Sequence, residues 1–511
     1  MDMGHSVLSL DVGSSGVKAC LINHTGMVME KETANYDFDV TENHIEQSPL
    51  VWWEAVVQTV SKLIRNAPSS PEAIFLTGQM QSLILMERDK LIAPAILYAD
   101  TRAGKEIEDI IRIIGEETLM ARTGNLNDAS SIFAKLLWIK ENAPQTYHKA
   151  DHLLLAAHDF ITWRLCGSYV TDYTNATTTG IFDLNNNEWA VDLLDQLHIR
   201  TDWLPDLMPA YQKTGILSYD AANQLSLREG IPVYHGAGDA GSAAIGSGAG
   251  EPGRFYVYLG TSGWLGATGF NQKIDPLTGI WNLRHINPNQ IMYLGPMMTT
   301  AGNWEWIKET FGELEVSAGR ENISPYEAIE TQAASSPAGC NGLLYLPMIN
   351  GERAPIRDPN ARGVFFGINK KTERADLYRS VLEGVAYAMR SIRDVMQNTM
   401  PATTKIDKLY LTGGGARSKL WAQIFADVMN CPVFVLSMPE DVGVKGMAIV
   451  AGKALGWHDN YFPGGSFIQY DATYWPSDNA ELYKRRYGLY QQLYPSLKEL
   501  FRNSAKKMVE E

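Results

Sequence analysis

The sequence is poor in cysteine and in long apolar runs. Its four cysteines, Cys20, Cys166, Cys340 and Cys431, are widely scattered over 511 residues. This scatter favours reduced thiols inside cores over a disulfide framework or a zinc knuckle. No uninterrupted apolar run is long enough to span a membrane, and the N-terminus enters a strand pattern without a basic segment and an apolar stretch before it. We therefore expect a cytoplasmic protein with no membrane partner.

Positive charge is also scarce. The formal net charge is -14, and the one basic cluster, at residues 484–486, lies in a tyrosine-rich helical pattern that indicates a solvated face. This charge balance disfavours nucleic acid and anionic lipid as partners. No low-complexity block is present, and a hydrophobic content of 45% is typical of a globular protein. The length predicts two to four domains.

Two common nucleotide motifs are missing. Residues 408–433 contain no G-x-G-x-x-G followed by a distant acidic residue, and the chain contains no G-x-x-x-x-G-K-[ST]. The first absence disfavours a dehydrogenase, and the second excludes a Walker A loop.

A strand–turn–strand pattern occurs twice, about half a chain apart. Residues 7–26 contain the turn Gly-Ser-Ser-Gly at 13–16, and residues 255–269 contain Gly-Thr-Ser-Gly at 260–263. One such turn is also typical of an ordinary hairpin, but two indicate duplicated halves. Backbone amides in these turns suit phosphate oxygens. We predict two α/β domains, 1–248 and 249–511, with a phosphate-binding turn on each side of a cleft.

A third small-residue loop lies in residues 408–433. A strand pattern leads to Gly413-Gly414-Gly415, and an amphipathic helix pattern follows. A glycine loop before a helix N-terminus is a favourable place for a nucleotide.

Two carboxylates stand beside the small-residue loops. Asp239 is the one charged residue in GAGDAGSAAIGSGAG, residues 236–250, and either caps a helix or meets a ligand that approaches the backbone. Asp11 directly precedes the first turn. A carboxylate beside a phosphate loop calls for a cation, so we expect Asp11 to be a Mg²⁺ ligand.

Taken in order, many segments resemble the FGGY carbohydrate kinases, and the resemblance covers nearly the whole chain. The segments are 11–18 (DVGSSGVK), 46–53 (EQSPLVWW), 77–80 (TGQM), 100–102 (DTR), 133–138 (FAKLLW), 159–164 (DFITWR), 171–172 (TD), 236–239 (GAGD), 259–262 (LGTS), 351–355 (GERAP), 358–363 (DPNARG), 363–368 (GVFFGI) with 380–383 (SVLE), and 413–415 (GGG). The resemblance implies two actin-like ATPase domains of ribonuclease H-like type. Each has a mixed five-stranded sheet flanked by helices, with sugar and the catalytic base in the first domain and ATP in the second.

The same resemblance implies a role for each candidate residue. Asp239 is the general base and, with Asp11, a Mg²⁺ ligand. The predicted phosphate contacts are Gly13, Ser14, Ser15, Lys18, Gly260, Thr261 and Ser262. The predicted adenosine contacts are Gly302, Gly414, Gly415, Ala416 and Ser418. The predicted sugar contacts are Gln79, Met80, Gln81, Asp100, Arg102 and Asp239, with Arg102 either orienting Asp100 or forming a surface pair.

The Gly-Gln-Met element looks most like xylulokinases, which usually continue with His and Gly where this chain has Gln81 and Ser82. A carboxamide keeps hydrogen bonding but loses a possible cation. D-xylulose is the first expectation; another pentulose such as L-xylulose or ribulose, a polyol or gluconate stays open, as does, more remotely, an actin- or Hsp70-like ATPase switch. Dimers are common in the family, so a homodimer is one open expectation.

Overall fold

The computed structural model describes residues 5–37, 39–41, 44–67, 69–313, 324–404, 406–461, 463 and 467–510. The chain divides into two units, neither continuous in sequence. Unit 1 comprises Met1–Glu251, Asn282–Met292 and Asp441–Ile468. Unit 2 comprises Pro252–Trp281, Tyr293–Glu440 and Gln469–Glu511. The sequence boundary at 248 remains a prediction, and the later segments of unit 1 were not foreseen.

The first half of the chain alternates strands and helices. The strands are β1 (Ser6–Val12), β2 (Gly16–Asn23), β3 (Val28–Asn35), β4 (Asp39–Thr41), β5 (His44–Gln47), β6 (Ala73–Gly78), β7 (Ile84–Glu87), β8 (Lys90–Leu91), β9 (Ala95–Ile96), β10 (His152–Leu154), β11 (Val170–Asp172), β12 (Phe182–Asp183), β13 (Glu188–Trp189), β14 (Asp206–Met208), β15 (Lys213–Ile216) and β16 (Pro232–Tyr234). The helices are α1 (Pro49–Asn66), α2 (Gly104–Ile114), α3 (Glu116–Thr123), α4 (Ile132–Asn142), α5 (Pro144–Lys149), α6 (Ala157–Cys166), α7 (Tyr173–Ala176), α8 (Val191–Gln196), α9 (Tyr219–Leu225) and α10 (Asp239–Ala244).

The second half has fewer and longer elements. The strands are β17 (Phe255–Leu259), β18 (Gly263–Thr268), β19 (Trp281–Arg284), β20 (Ile291–Met297), β21 (Leu344–Leu346), β22 (Val364–Phe366), β23 (Leu409–Thr412), β24 (Val433–Leu436) and β25 (Tyr470–Tyr474). The helices are α11 (Ala301–Phe311), α12 (Pro325–Ser335), α13 (Arg374–Thr399), α14 (Lys419–Met429), α15 (Val442–Ala454) and α16 (Ala480–Glu510).

The main sheet of unit 1 is mixed, in the order β15-β16-β6-β1-β2-β3. Strand β1 pairs antiparallel with β2 and parallel with β6. Almost every residue of β1 is buried, because helices cover both faces of a central strand. Helix α1 buries Trp52, Val56, Val60 and Leu63 on one face, at the spacing of an amphipathic helix.

The second large sheet is also mixed, in the order β19-β20-β18-β17-β23-β24-β25. Strand β17 pairs antiparallel with β18 and parallel with β23. Both predicted strand–turn–strand units and the predicted strand–glycine loop–helix unit, β23 to α14, are therefore present. Each sheet contains the predicted five-stranded mixed set, extended at its edges by β15 in one sheet and by β19 and β25 in the other.

A second core in unit 1 surrounds Phe133, Leu153 and Trp203, away from the main-sheet core around Trp52 and Phe160. It packs helix α4 against the region of β7 and β10. Among the described helices, none combines the length and the apolar character that crossing a membrane requires.

Candidate active site

The Asp239 loop joins β16 to α10 in unit 1. Gly236 has a φ of 75°, and a Cβ at this position would overlap the carbonyl oxygen of Leu76. A Cβ on Gly238 would lie 2.5 Å from Met80 Cγ. Small residues are therefore required at two positions of the loop because other chain segments approach it closely. The sequence expectation that Asp239 caps the helix is wrong: Gly238 is the N-cap and Asp239 is the first helical residue, since the backbone turns at Gly238.

The charge environment of Asp239 suits a proton acceptor. Surrounding protein atoms and the charge of Asp11 raise the pKa of Asp239 to about 7, although the residue itself is solvent-exposed. Near neutral pH such a carboxyl group exchanges a proton readily, which general acid–base catalysis needs.

Asp11 stands on β1 directly opposite Lys18 on β2. Burial and the charge of Asp441 raise the pKa of Asp11, against the opposing effect of Lys18. Asp441 is fully buried, and its Oδ1 lies 3.1 Å from Lys18 Nζ and 2.6 Å from Lys31 Nζ. The predicted phosphate ligand Lys18 therefore already pairs with a carboxylate that the sequence analysis did not single out.

The predicted phosphate turn between β1 and β2 is compact. The Gly13 N–H donates to Gly16 O at 2.9 Å, and the Tyr36 hydroxyl donates to Gly13 O. Ser14 is half-buried and Ser15 is exposed. Both hydroxyls therefore stay close to the surface of unit 1.

Helix α15 brings a distant segment to Asp11. A Cβ on Gly443 would lie 2.9 Å from Asp11 Oδ2, and a Cβ on Gly446 would overlap the carbonyl oxygen of Ser242 in α10. Glycines at these positions let α15 approach both β1 and α10. The small-residue pattern of residues 442–454 was the available signal for this close packing.

The predicted sugar contacts Gln79, Met80 and Gln81 follow β6. Gln79 is almost fully buried, and neither atom of its side-chain amide has a hydrogen-bond partner among the described residues. A buried carboxamide without partners is costly unless a ligand or water meets it. Gln81 has a φ of 55°, and its side-chain amide donates to the carbonyl oxygen of Thr178.

Asp100 and Arg102 form a buried ion pair rather than a surface pair. Arg102 Nε donates to Asp100 Oδ1 at 2.9 Å, and Arg102 also donates to Glu46 Oε1 at 2.7 Å. The backbone N–H of Ile45 donates to Asp100 Oδ2 at 2.6 Å. Burial favours a higher pKa for Asp100, but the hydrogen bonds from Arg102 and Ile45 outweigh it and lower the pKa. The pair is thus a preformed, charge-balanced unit.

Lys135 lies on α4 with no exposed surface. Its Nζ donates to Leu97 O at 2.7 Å, close to the turn that carries Asp100. Burial lowers the pKa of Lys135 to about 7. The folded chain therefore holds this amine largely neutral above neutral pH.

We expect Lys135 to make stability depend on pH. An unfolded lysine has a pKa of about 10.4, so between about pH 7 and pH 10 the unfolded chain binds more protons at this site and stability rises with pH. In Lys135→Met this contribution is absent. The difference in unfolding free energy, wild type minus variant, should grow by about 1.4 kcal/mol per pH unit in that range.

Urea unfolding at pH 7, 8 and 9 measures this difference. Lys140→Met is the control, because Lys140 lies on the same helix and also donates to a backbone carbonyl, Leu197 O, from a half-buried position. A wild-type minus Lys135→Met difference that stays constant over this range would contradict the prediction.

In unit 2 the turn after β17 packs against the start of α11. Thr261 O accepts the N–H of Thr300 at 2.9 Å and that of Gly302 at 3.0 Å. A Cβ on Gly302 would lie 3.0 Å from Thr261 O. The structure therefore brings the predicted phosphate turn 260–262 and the predicted adenosine contact Gly302 together, while the side chains of Thr261 and Ser262 remain exposed.

The glycine loop after β23 packs on the end of β17. Gly413 has a φ of 87°, and a Cβ there would lie 2.6 Å from Leu259 O. Gly414 is exposed with open space around it, whereas Ala416 is buried. Ser418 caps α14 and donates to Glu330 Oε1 at 2.9 Å, so its hydroxyl already has two partners.

Four buried side chains lie beside the Asp239 loop and received no role from the sequence. They are His158, Asp159, Asp172 and His235. His158 Nε2 lies 2.9 Å from Asp172 Oδ2, and His235 Nε2 lies 3.2 Å from Asp159 Oδ1. The family segments 159–164 and 171–172 marked the two aspartates, and His235 directly precedes the glycine loop, but no spacing rule joins the four.

Asp11 and Asp239 fit a magnesium ion by their chemistry. Asp11 raises the pKa of Asp239, so the two carboxylates repel each other. A divalent cation relieves such repulsion, and Mg²⁺ prefers oxygen ligands.

Comparison with known proteins decides the family. The model for the N-terminal domain of the FGGY family of carbohydrate kinases matches residues 6–246, and the model for its C-terminal domain matches residues 255–455. The chain belongs to the FGGY family of carbohydrate kinases. It is an ATP-dependent sugar kinase with the two-domain α/β fold of that family, which confirms the resemblance, fold class and enzyme class predicted from the sequence.

Individual members of the FGGY family match nearly the whole chain. A xylulose kinase of Staphylococcus xylosus is 28% identical over 494 residues, which are 96% of this chain and 99% of the relative. The crystal structure of a xylulose kinase from Rhodospirillum rubrum matches with a TM-score of 0.89 at 27% identity, covering 98% of this chain and 100% of that one. A gluconate kinase structure from Lactobacillus acidophilus matches with a TM-score of 0.87 at 25% identity, covering 96% and 98%.

Proposed function

We propose that this FGGY kinase transfers the γ-phosphoryl group of ATP to a hydroxyl of a ketopentose, D-xylulose first. The observation that carries the catalytic part is Asp239, a solvent-exposed carboxyl group with a raised pKa at the end of a rigid glycine loop. The xylulose kinases among the relatives support the choice of sugar.

Asp239 is the proposed general base. Its carboxylate accepts the proton of the attacking sugar hydroxyl, the hydroxyl oxygen forms a bond to the γ-phosphorus, and the bond from that phosphorus to the bridging oxygen of ADP breaks. The products are a sugar phosphate, ADP and one proton. Positioning supplies much of the rate in such transfers.

The phosphate groups are assigned to two turns. We propose that Gly13, Ser14, Ser15 and Lys18 of unit 1 contact phosphate oxygens, as do Gly260, Thr261 and Ser262 of unit 2. The exposed hydroxyls of Ser15, Thr261 and Ser262 support this assignment. The ammonium group of Lys18 would then contact both a phosphate oxygen and the carboxylate of Asp441.

The adenosine contacts are proposed to be Gly302, Gly414, Gly415, Ala416 and Ser418. Exposed Gly414, with no atom close to where its Cβ would be, offers a flat backbone surface. Ser418 contributes chiefly by capping α14, since its hydroxyl is already engaged.

The sugar contacts are proposed to be Gln79, Met80, Gln81 and Asp239, with Asp100 and Arg102 as a preformed neighbouring pair. The unpartnered amide of Gln79 supports a polar ligand. The backbone bond of Gln81 leaves its amide oxygen as the group for a sugar hydroxyl.

Asp11 and Asp239 would hold one Mg²⁺. The ion would neutralise charge on the phosphates of bound ATP. Substrate binding, positioning and proton transfer in the proposed reaction are assigned to side chains and backbone of this chain.

Gluconate is the second candidate because a gluconate kinase is among the structural matches. A sugar acid needs a free cation, but Arg102 is engaged by both Asp100 and Glu46. This engagement favours an uncharged sugar.

The deciding experiment measures ADP release with Mg²⁺ and ATP across D-xylulose, L-xylulose, D- and L-ribulose, glycerol, erythritol and gluconate. We expect D-xylulose to raise the rate at least about 100-fold above basal hydrolysis, because closure around the sugar supplies positioning. Sugar phosphate is quantified in parallel so that hydrolysis is not mistaken for transfer. Stimulation by gluconate alone would move the assignment to a sugar-acid kinase, and no stimulation by any compound would contradict the proposed substrate class.

Location and assembly are part of the same proposal. A kinase that consumes ATP to phosphorylate a free sugar is expected in the cytoplasm. A homodimer is the proposed assembly, and sedimentation at micromolar concentration tests it.

A further inference from the structure

The loop at residues 235–238 is anchored at every position. The backbone N–H of His235 donates to Thr214 Oγ1 at 3.0 Å. Gly236 lies against Leu76, whose carbonyl also accepts the N–H of Ala237 at 3.3 Å. The N–H of Gly238 donates to Asp172 Oδ2 at 3.1 Å. The N–H of Gly238 is therefore held by a side chain, whereas its carbonyl oxygen accepts the N–H of Ser242 at 3.1 Å in the first turn of α10.

Asp172 uses its two oxygens for different purposes. Oδ1 accepts the N–H groups of Thr174 at 2.8 Å and Asn175 at 3.2 Å, which caps the short helix α7. Oδ2 accepts from Gly238 and from His158 Nε2, the latter at 2.9 Å. Its side chain is almost fully buried, so these four donors account for its charge.

The second histidine of the cluster is His235, and its hydrogen bond to Thr162 indicates which ring nitrogen carries a proton. The Thr162 hydroxyl donates to His158 O at 2.8 Å, so its oxygen accepts from His235 Nδ1 at 2.8 Å. His235 then presents Nε2 to Asp159 Oδ1 at 3.2 Å, an ion-pair distance at which neither atom has a hydrogen-bond partner among the described residues. Asp159 Oδ2 accepts the N–H of Leu155 at 2.9 Å.

In this cluster the Nε2 atom of each histidine lies near an oxygen of both aspartates. Besides the short contacts, His158 Nε2 lies 3.6 Å from Asp159 Oδ1, and His235 Nε2 lies 4.0 Å from Asp172 Oδ2. Burial favours a lower pKa for His158, but its bond to Asp172 and the charge of Asp159 outweigh burial and raise the pKa. Two of these contacts, at 2.9 and 3.2 Å, are short, and two are longer. His158, Asp159 and His235 also lie close enough together to hold a metal ion, so the zinc content of the purified protein is part of the test.

We propose that Asp172 and His158 are positioning residues for the phosphoryl transfer: together with Asp159 and His235 they hold the Gly238 peptide, and through it place the carboxylate of Asp239. The inference rests on the proposed role of Asp239 as the base. None of the four residues is assigned to sugar, nucleotide or magnesium.

Asp172→Asn tests the contact to Gly238 selectively. Asparagine is as good a helix cap as aspartate, so its Oδ1 keeps the α7 contacts. Its Nδ2 cannot accept from Gly238 or His158, so the Gly238 N–H loses its acceptor while the contacts of residues 235–237 remain. We expect kcat to fall about 100-fold, the effect of a displacement of about 1 Å, with the KM values for ATP and sugar changed less than about threefold.

Asp183→Asn is the matched control. Asp183 is equally buried, one oxygen accepts the N–H groups of Asn185 and Asn186, and the other pairs with Arg122, away from the loop. It should lose stability to a similar degree without the loss of kcat. Nucleotide-binding stoichiometry, measured by titration with ADP, should stay at about one per chain in both variants and so excludes partial unfolding as the cause.

His158 provides a rescue experiment. In His158→Gln the side-chain Nε2 replaces the ring nitrogen as donor to Asp172, whereas His158→Leu removes the donor. We expect the Leu variant to lose kcat about 100-fold and the Gln variant to retain at least about a tenth of wild-type kcat. Equal losses in both variants, with KM unchanged, would overturn the proposal.

Three outcomes separate this inference from the proposed function. If Asp239→Asn is inactive while Asp172→Asn has normal kcat, the positioning role is wrong and the base stands. If Asp239→Asn retains full activity, the assignment of Asp239 as the base fails, and the premise of this inference fails with it. If purified protein carries one zinc per chain that is lost in His158→Gln, the cluster is a metal site and the inference is overturned.

Discussion

Asp239→Asn should lower kcat for sugar phosphorylation by about 10³-fold, while the fold is retained. Asparagine has the same shape but cannot accept the hydroxyl proton at neutral pH, and general-base catalysis is worth about 10² to 10⁴ in rate. The thermal unfolding temperature should not fall, because surrounding protein atoms and Asp11 already disfavour the charged form of Asp239, as its raised pKa indicates. Steady-state kinetics with the preferred sugar and thermal unfolding measure the two effects.

The control for this substitution is Asp195→Asn. Asp195 is an exposed carboxylate on helix α8. It should change neither kcat nor the unfolding temperature. If Asp239→Asn keeps more than about a tenth of wild-type kcat, proton transfer to Asp239 is not a major part of catalysis.

Gly236→Ala should destabilise the protein by about 3 kcal/mol or more and reduce kcat in the fraction that remains folded. The alanine would carry a left-handed φ, and its Cβ would overlap the carbonyl oxygen of Leu76 in β6. The backbone can avoid this overlap only by moving the loop away from β6, and the loop carries Asp239. Urea unfolding and kinetics at a temperature well below the transition measure both losses.

Gly230→Ala separates the two causes of this instability. Gly230 has a φ of 79° and precedes β16 in the same segment, but no atom lies within 4 Å of where its Cβ would be. Its replacement should cost about 1 to 2 kcal/mol from backbone strain alone and leave kcat unchanged. Equal effects at both positions would show that the loop yields to the extra methyl group and is not held in place by β6.

The structure changes how two of the predicted sugar contacts are understood. From the sequence, Arg102 either orients Asp100 by an ion pair or forms a surface pair. In the fold, both carboxylate oxygens of Asp100 already accept several N–H groups, and Arg102 also stacks over the Trp138 ring at 4.9 Å. The pair therefore behaves as one rigid unit, and we propose that this unit disfavours a substrate carboxylate.

The sequence by itself determined the local units and the family. Alternating apolar residues and glycine turns specify β1–β2, β17–β18 and the β23 loop, because strand periodicity and turn conformation depend on residues close in sequence. The order of the family segments along the chain identified the sugar kinase class without any coordinates.

Only the tertiary structure decided which residues distant in sequence form ion pairs and pack against each other. Asp441 meets Lys18 and Lys31 across more than 400 positions, and helix α15 joins unit 1 although it follows most of unit 2 in sequence. His158 and His235 meet between two aspartates for the same reason. Burial and pairing of such groups depend on which chain segments pack together, and no local pattern of residues encodes that packing.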